Sequence, residues 1–351
     1  MVDVQSFFKN KNNRIIVGIV LIMVIALLIS TYEPTEEVEV PILEEIEEIM
    51  VEEEPEGEEE LIWIPDTWNN RMQLFTSNGT FVFAFGERGN GDEGFRFPSD
   101  VAQVGKNLYV LDKGNSVVKK FDLNGTLLTS YGGLNNPVGM CISNGYIFVA
   151  NTYKNNIVKM DMDGNLILTW GGRGRGKGQF MFPVDVACDE QDVFVVDTYN
   201  HRIQQFDVNG NFKGQWGRLG QIDTRFRFPY GIGLDENYVY VSDSQNHLVK
   251  RFGRNSYPDD VISWGGFGEG DGDFKFQDKI WIHDETLYVA DSNNHRIQMF
   301  DTNGMFLGKF GAFGRDEGLL RVPGGKRVTR SSTFGLNVSK KATGNATNSS
   351  S

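Results

Sequence analysis

Six side chains follow, by one or two positions, a recurring set of strand openings at Pro98, Pro137, Pro183, Pro229, Gln277 and Pro323. They are Ser99, Asp100, Asp185, Tyr230, Asp278 and Lys279. Three carboxylates among them, Asp100, Asp185 and Asp278, recur at wide intervals, and carboxylates converging on one axis would hold a hard cation such as calcium. Asp278, however, stands one residue out of step, and Lys279 lies beside it. A one-residue step on a strand turns a side chain to the opposite face. A ring of ion pairs is therefore the plainer reading, and a calcium site the alternative.

The remaining reactive residues are few. His201, His247 and His295 occupy equivalent places in different repeats and cannot meet at one metal, while His283 lies past the middle of a strand, near its turn. No Ser-His-Asp grouping can be assembled from them. Cys141 and Cys188 are the two cysteines, too few for a disulfide scaffold or a zinc-bearing RING or B-box module. Each falls in an inner strand, where a buried free thiol is expected. The stretch Gly265 to Gly272 has GxGxxG-like spacings but joins strand to strand, without the helix a dinucleotide site needs.

The elements that position these residues form a repeat. A strand ends in an acid or amide at Asp66, Asp112, Asn151, Asp197, Asp243 and Asp291, at spacings of 46, 39, 46, 46 and 48 residues. An alternating strand follows each, as in Arg202-Ile-Gln-Gln-Phe206. Next come tight hairpins at Asn78-Gly79, Asn124-Gly125, Asp163-Gly164, Asn209-Gly210 and Asn303-Gly304. The fifth unit departs, with a longer connection from Arg254 to Asp260. An outer strand then ends in aromatic-Gly, from Phe85-Gly86 to Phe310-Gly311. A period of this size with several short strands per unit predicts an all-β propeller. Outer strands and inner-strand openings each number six but are offset, so the chain enters at a second strand and leaves after a lone inner strand near Val322–Thr329. Three-plus-one closure of six blades over residues 61–329 follows. Arg71, Arg202 and Arg296 stand five residues after Asp66, Asp197 and Asp291, a spacing suited to local ion pairs beside carboxylates that satisfy turn amides.

These blocks resemble NHL repeats. Asn246-His247-Leu248 spells the signature, and Asn200-His201-Arg202 and Asn294-His295-Arg296 are its common variant. No Trp-Asp dipeptide marks the strand ends, which sets WD40 repeats aside. The resemblance implies an interaction platform, since NHL propellers occur in RNA-binding regulators, in sensor domains outside bacterial membranes and in the peptide-amidating lyase. That lyase would carry zinc-binding histidines beside the inner-strand prolines, but Ser99, Val138, Val184, Tyr230, Asp278 and Gly324 stand there. Residues 61–351 hold 31 acidic and 31 basic groups, which argues against RNA despite a basic loop at Arg173, Arg175 and Lys177. The expectation is a non-catalytic binding propeller for an unidentified protein, peptide or glycan, with the six residues above as its channel-mouth surface. No cofactor is expected unless calcium binds. A calcium-dependent hydrolase, a lyase-like enzyme and an RNA binder are the alternatives.

Residues 1–60 carry the excess charge, with 16 acidic and 3 basic groups. Residues 15–32 lack charge and are long enough for a signal-anchor helix. Lys9, Lys11 and Arg14 precede that segment, which places residues 1–14 in the cytoplasm and the propeller on the other side. Residues 33–60, with 15 glutamates, are expected as an acidic linker, and 330–351 as a disordered polar tail.

Overall fold

The computed structural model describes residues 61–90, 94–254 and 260–324, with the backbone of Val328–Thr329. The expected cytoplasmic segment 1–14, anchor 15–32, linker 33–60 and tail 330–351 lie outside the described residues.

Six four-stranded antiparallel sheets follow one another along the chain. Blade 2 runs through Pro98–Val104, Asn107–Asp112, Val117–Asp122 and Leu127–Tyr131. Blades 3 to 6 repeat it from the inner strands Gly139–Ser143, Pro183–Cys188, Ile232–Leu234 and Gln277–His283. Blade 1 takes its second to fourth strands from Leu61–Asp66, Arg71–Thr76 and Phe81–Phe85. Its inner strand is Val328–Thr329, with Leu61 opposite Thr329 and Ile62 opposite Val328. The three-plus-one closure is thus present. It is reinforced where the Gly324 amide donates to the Pro65 carbonyl at 2.9 Å and the Arg321 amide to Asp66 Oδ1 at 2.7 Å.

The core lies between blades. Along Asp192–Asp197, Val193 and Val195 pack toward blade 3 with Phe148 and Ile157, while Phe194 and Val196 pack toward blade 5 with Ile232 and Val239. A strand covered on both faces reads as an unbroken apolar run, as Val193-Phe-Val-Val196 does. Two sequence motifs meet here as well. The outer-strand aromatic of one blade sits over the hairpin glycine of the next, and a Cβ at Gly125 would lie 2.6 Å from Phe85 Cγ. Gly125 also needs its φ of +83°. The turn is held by Asp122 Oδ1, which accepts from the amides of Asn124 and Thr126 at 2.9 and 2.8 Å.

The cysteines correct the expectation of free thiols. Cys141 and Cys188 form a disulfide between the inner strands of blades 3 and 4, with Cα atoms 5.9 Å apart. Cys141 pairs opposite Phe148 and Cys188 opposite Val193, so Cys188 is one register step beyond the blade-4 equivalent of Cys141. Alternate strand residues face opposite neighbours. That single step turns the two sulfurs toward each other.

Candidate functional site

The repeat signature is occupied by structure. Oδ1 of each strand-end acid receives a backbone amide just before the opening of its own blade, as Asp197 does from Met181 at 2.7 Å and Asp291 from Lys275 at 2.8 Å. Oδ2 takes Arg202 Nε at 2.8 Å in blade 4, Arg296 Nε at 2.8 Å in blade 6 and Arg71 Nε at 2.9 Å in blade 1. Lys119 and Lys250 serve Asp112 and Asp243 in the same way, at 3.2 and 2.9 Å. In blade 3 Asn151 Oδ1 accepts from the Asn135 amide at 2.7 Å. His201 and His295 accept backbone amides of the next blade on Nδ1, from Phe228 and Val322, both at 3.1 Å. Burial holds both imidazoles below the usual histidine range, as that acceptor role requires.

The six channel residues divide into two layers. Asp100, Asp185 and Lys279 each stand two positions after a strand opening and are buried together. Lys279 Nζ lies 3.0 Å from Asp100 Oδ2 and 2.7 Å from Asp185 Oδ1. The carboxylates also take amides of the following blades: Asp100 Oδ2 from Met140 at 2.9 Å, and Asp185 Oδ2 from Ile232 at 3.0 Å. Between them Gly139 leaves the necessary room, since a Cβ there would lie 2.2 Å from Asp185 Oδ1 and 2.7 Å from Lys279 Nζ. Burial opposes the Lys279 charge, but Asp100 and Asp185 more than offset it and hold its ammonium above the usual lysine range. This layer is a plug and not an accessible surface. It does not fit calcium either: the charge a metal would bring is already supplied by Lys279, and Asp278 belongs to another layer.

That other layer, one residue nearer the strand openings, contains Ser99, Val138, Val184, Tyr230, Asp278 and Gly324. Ser99 is buried, whereas Tyr230 and Asp278 face a cavity of about 340 Å³ on the face formed by the openings and the Asp-ended loops. Burial raises Asp278 to about 6, against the lowering effects of Ser292, Lys279 and Lys113. Burial also pushes the Tyr230 hydroxyl far above its usual range. Lys113, on the same wall, is lowered by burial. On the opposite side of the plug a cavity of about 160 Å³ is lined by the disulfide, Met140 and Trp281.

Sequence reasoning missed the aromatic rim of the larger cavity. The residue before each opening has positive φ: Phe97 (52°), Asn136 (48°), Phe182 (54°), Phe228 (49°), Phe276 (50°) and Val322 (51°). For bulky residues this conformation costs of order 1–3 kcal/mol each and persists only where neighbours impose it. Here the Phe97 amide is held by Asn70 Oδ1 at 3.0 Å and the Phe182 amide by Asn155 Oδ1 at 2.9 Å. The conformation turns the second Phe of each Phe-x-Phe pair outward, while Phe95, Phe180, Phe226 and Phe274 remain fully buried. Tyr153, Phe182, Tyr199 and Phe228 then form a continuous arc, with successive ring centroids 5.7, 4.8 and 5.3 Å apart. Tyr153 and Tyr199 are 56% and 50% exposed. The recurrence of Phe-Pro was the available signal, but it marks a strand opening and does not reveal the direction of the ring.

The 6-bladed beta-propeller family DUF5128 matches residues 133–251. The protein brain tumor of Drosophila melanogaster is 28% identical over 116 residues, 31% of this chain but only 11% of that protein's length. A solved nidogen/laminin complex contains a chain with a TM-score of 0.59 at 14% identity, covering 77% of this chain and 97% of that one. A streptogramin B lyase structure gives a TM-score of 0.52 at 11% identity, over 75% and 82% of the two chains. At these identities the two structures share the fold alone. The six sheets define a six-bladed β-propeller. Its repeats are NHL-like.

Proposed function

We propose that this chain is a non-catalytic recognition propeller, held at a membrane by residues 15–32, whose cavity face with its aromatic arc binds the ligand. The observation that carries the reading is the concentration of outward, conformationally strained aromatics on that one face. Strain of this kind gathers at ligand sites, and aromatics supply large contact area at recognition surfaces. The signature acids are engaged in bracing the loop that enters their own blade, two of the signature histidines in bonding to the next blade's opening, and the channel carboxylates in holding Lys279. None of these groups is left to attack or protonate a substrate. The Cys141–Cys188 disulfide suits an oxidising compartment and so supports a propeller on the extracytoplasmic side.

The test places a photo-reactive residue at Tyr199 on the cavity face, or at Leu166 at the hairpin end of an outer strand, in the full-length chain in its host. Discrete adducts from Tyr199 and none from Leu166 are expected. Adducts from Leu166 alone would reverse the assignment of the face. Protease added to the cytoplasmic side of sealed vesicles should leave the propeller intact.

A further inference from the structure

In a repeat protein, a position that departs from the other copies is released from the structural task those copies perform. The residue after each strand-end acid or amide shows that task. Thr67, Thr152, Thr198, Ser244 and Ser292 each donate a hydroxyl to the first carbonyl of the next blade, at 2.8, 2.7, 2.9, 2.6 and 2.9 Å. The copy in blade 2 is Lys113, which has no hydroxyl and lines the cavity. A second departure lies on the inner strands. Where other blades carry Ser99, Val138, Val184, Tyr230 or Gly324, blade 6 carries Asp278, and it lines the same cavity.

The two departures are opposite charges, close enough to influence each other's titration. Among the described residues they form no ion pair with each other. Partly burying an ammonium and a carboxylate without pairing them opposes folding, so their placement calls for a purpose other than stability. Between them the wall is apolar and aromatic, with Val138, Val184, Tyr230 and Phe182.

We propose that the cavity binds a compact zwitterion on an apolar body, the chemistry of a free amino acid or a short peptide with both termini unblocked. Its ammonium is received by Asp278, its carboxylate by Lys113, and its apolar part by the valines and rings. The volume of about 340 Å³ is in the range of small-ligand pockets. This assignment rests on the cavity face being the recognition face and adds the class of ligand.

The test is calorimetric titration of the full-length chain in detergent with phenylalanine and with phenylalanyl-leucine, which separates amino acid from dipeptide. The N-acetyl and C-terminal amide forms of each are titrated beside them. At least one zwitterion should bind, and blocking either terminus should weaken binding at least roughly tenfold, the loss expected for a charge-assisted hydrogen bond. Lys113→Thr and Asp278→Val restore the residue types of other blades, so folding is expected to survive. Lys113→Thr should abolish the preference for a free carboxylate only, and Asp278→Val the preference for a free ammonium only. Absence of binding by both zwitterions at millimolar concentration, or equal binding of free and blocked forms, would overturn the assignment. If that happens while Tyr199 still gives its adducts, the recognition face stands and only the ligand class fails. If a zwitterion binds as described but Tyr199 gives no adduct, the platform reading fails and the pocket remains.

Discussion

Lys279 Nζ lies 2.7 Å from Asp185 Oδ1, although the residues are 94 positions apart and belong to different blades. With Asp100 on its other side, Lys279 supplies the cation of the channel. Lys279→Met should therefore leave two buried carboxylates without their counter-charge and lower stability by about 3–5 kcal/mol. Thermal unfolding of the full-length chain checks this, and a variant as stable as wild type contradicts it. Millimolar calcium should not raise the wild-type melting temperature, since a specific ion at a hundredfold excess over its Kd would add about 2.7 kcal/mol.

Asp278 provides the pH test. Its folded pKa, about 6, lies above the ordinary 3.8, so the folded state disfavours the charged form. Its destabilising effect is complete above about pH 6 and disappears as pH falls toward 4. Asp278→Asn should accordingly be more stable than wild type at pH 7.5, on the order of 1–3 kcal/mol. The gap should close near pH 4. A gap that grows on acidification would reverse the sign of this account.

The disulfide closes a loop between residues 47 apart. Its removal by Cys141→Ala with Cys188→Ala should cost about 2–4 kcal/mol. Thiol titration of the unreduced chain in denaturant should find no free thiol; two reactive thiols would refute the bridge.

Closure gives a fourth outcome. Truncation after Gly318 removes Leu320, which is fully buried in the core, and the Arg321 and Gly324 amides that bond to blade 1. That chain should aggregate or unfold, whereas deletion of 340–351 should leave the melting temperature within a degree or so of wild type. Equal stability of the two would exclude the arrangement.

Much of this was legible in the sequence because propeller repeats announce themselves. The Asn-Gly turns, the aromatic-Gly ends and the offset count led to six blades, and the one-residue step at Asp278 anticipated Lys279 as the in-step partner of Asp100 and Asp185. What was not legible depended on tertiary register. The Cys141–Cys188 bridge needs a one-step offset that aligned repeats read as a mismatch. The outward rings of Phe97, Phe182, Phe228 and Phe276 depend on a left-handed backbone that no local propensity favours for Phe. Asn70 and Asn155 in the preceding blade help to impose it. Lys113 carries no signal in the sequence, because the task of its position, a hydroxyl bonded to the next blade's first carbonyl, exists only between packed blades.

The central claim is that the aromatic arc recognises the ligand. The most direct measurement places a photo-reactive residue at Trp68, on the same face but in blade 1, and reads adduct yield in the host. Phe182→Ser with Tyr199→Ser should abolish the adducts while leaving the melting temperature nearly unchanged. Leu128→Ser with Leu166→Ser, at the hairpin ends of outer strands, should leave the yield intact. Adducts that survive loss of the arc but vanish with the hairpin-end pair would contradict the account.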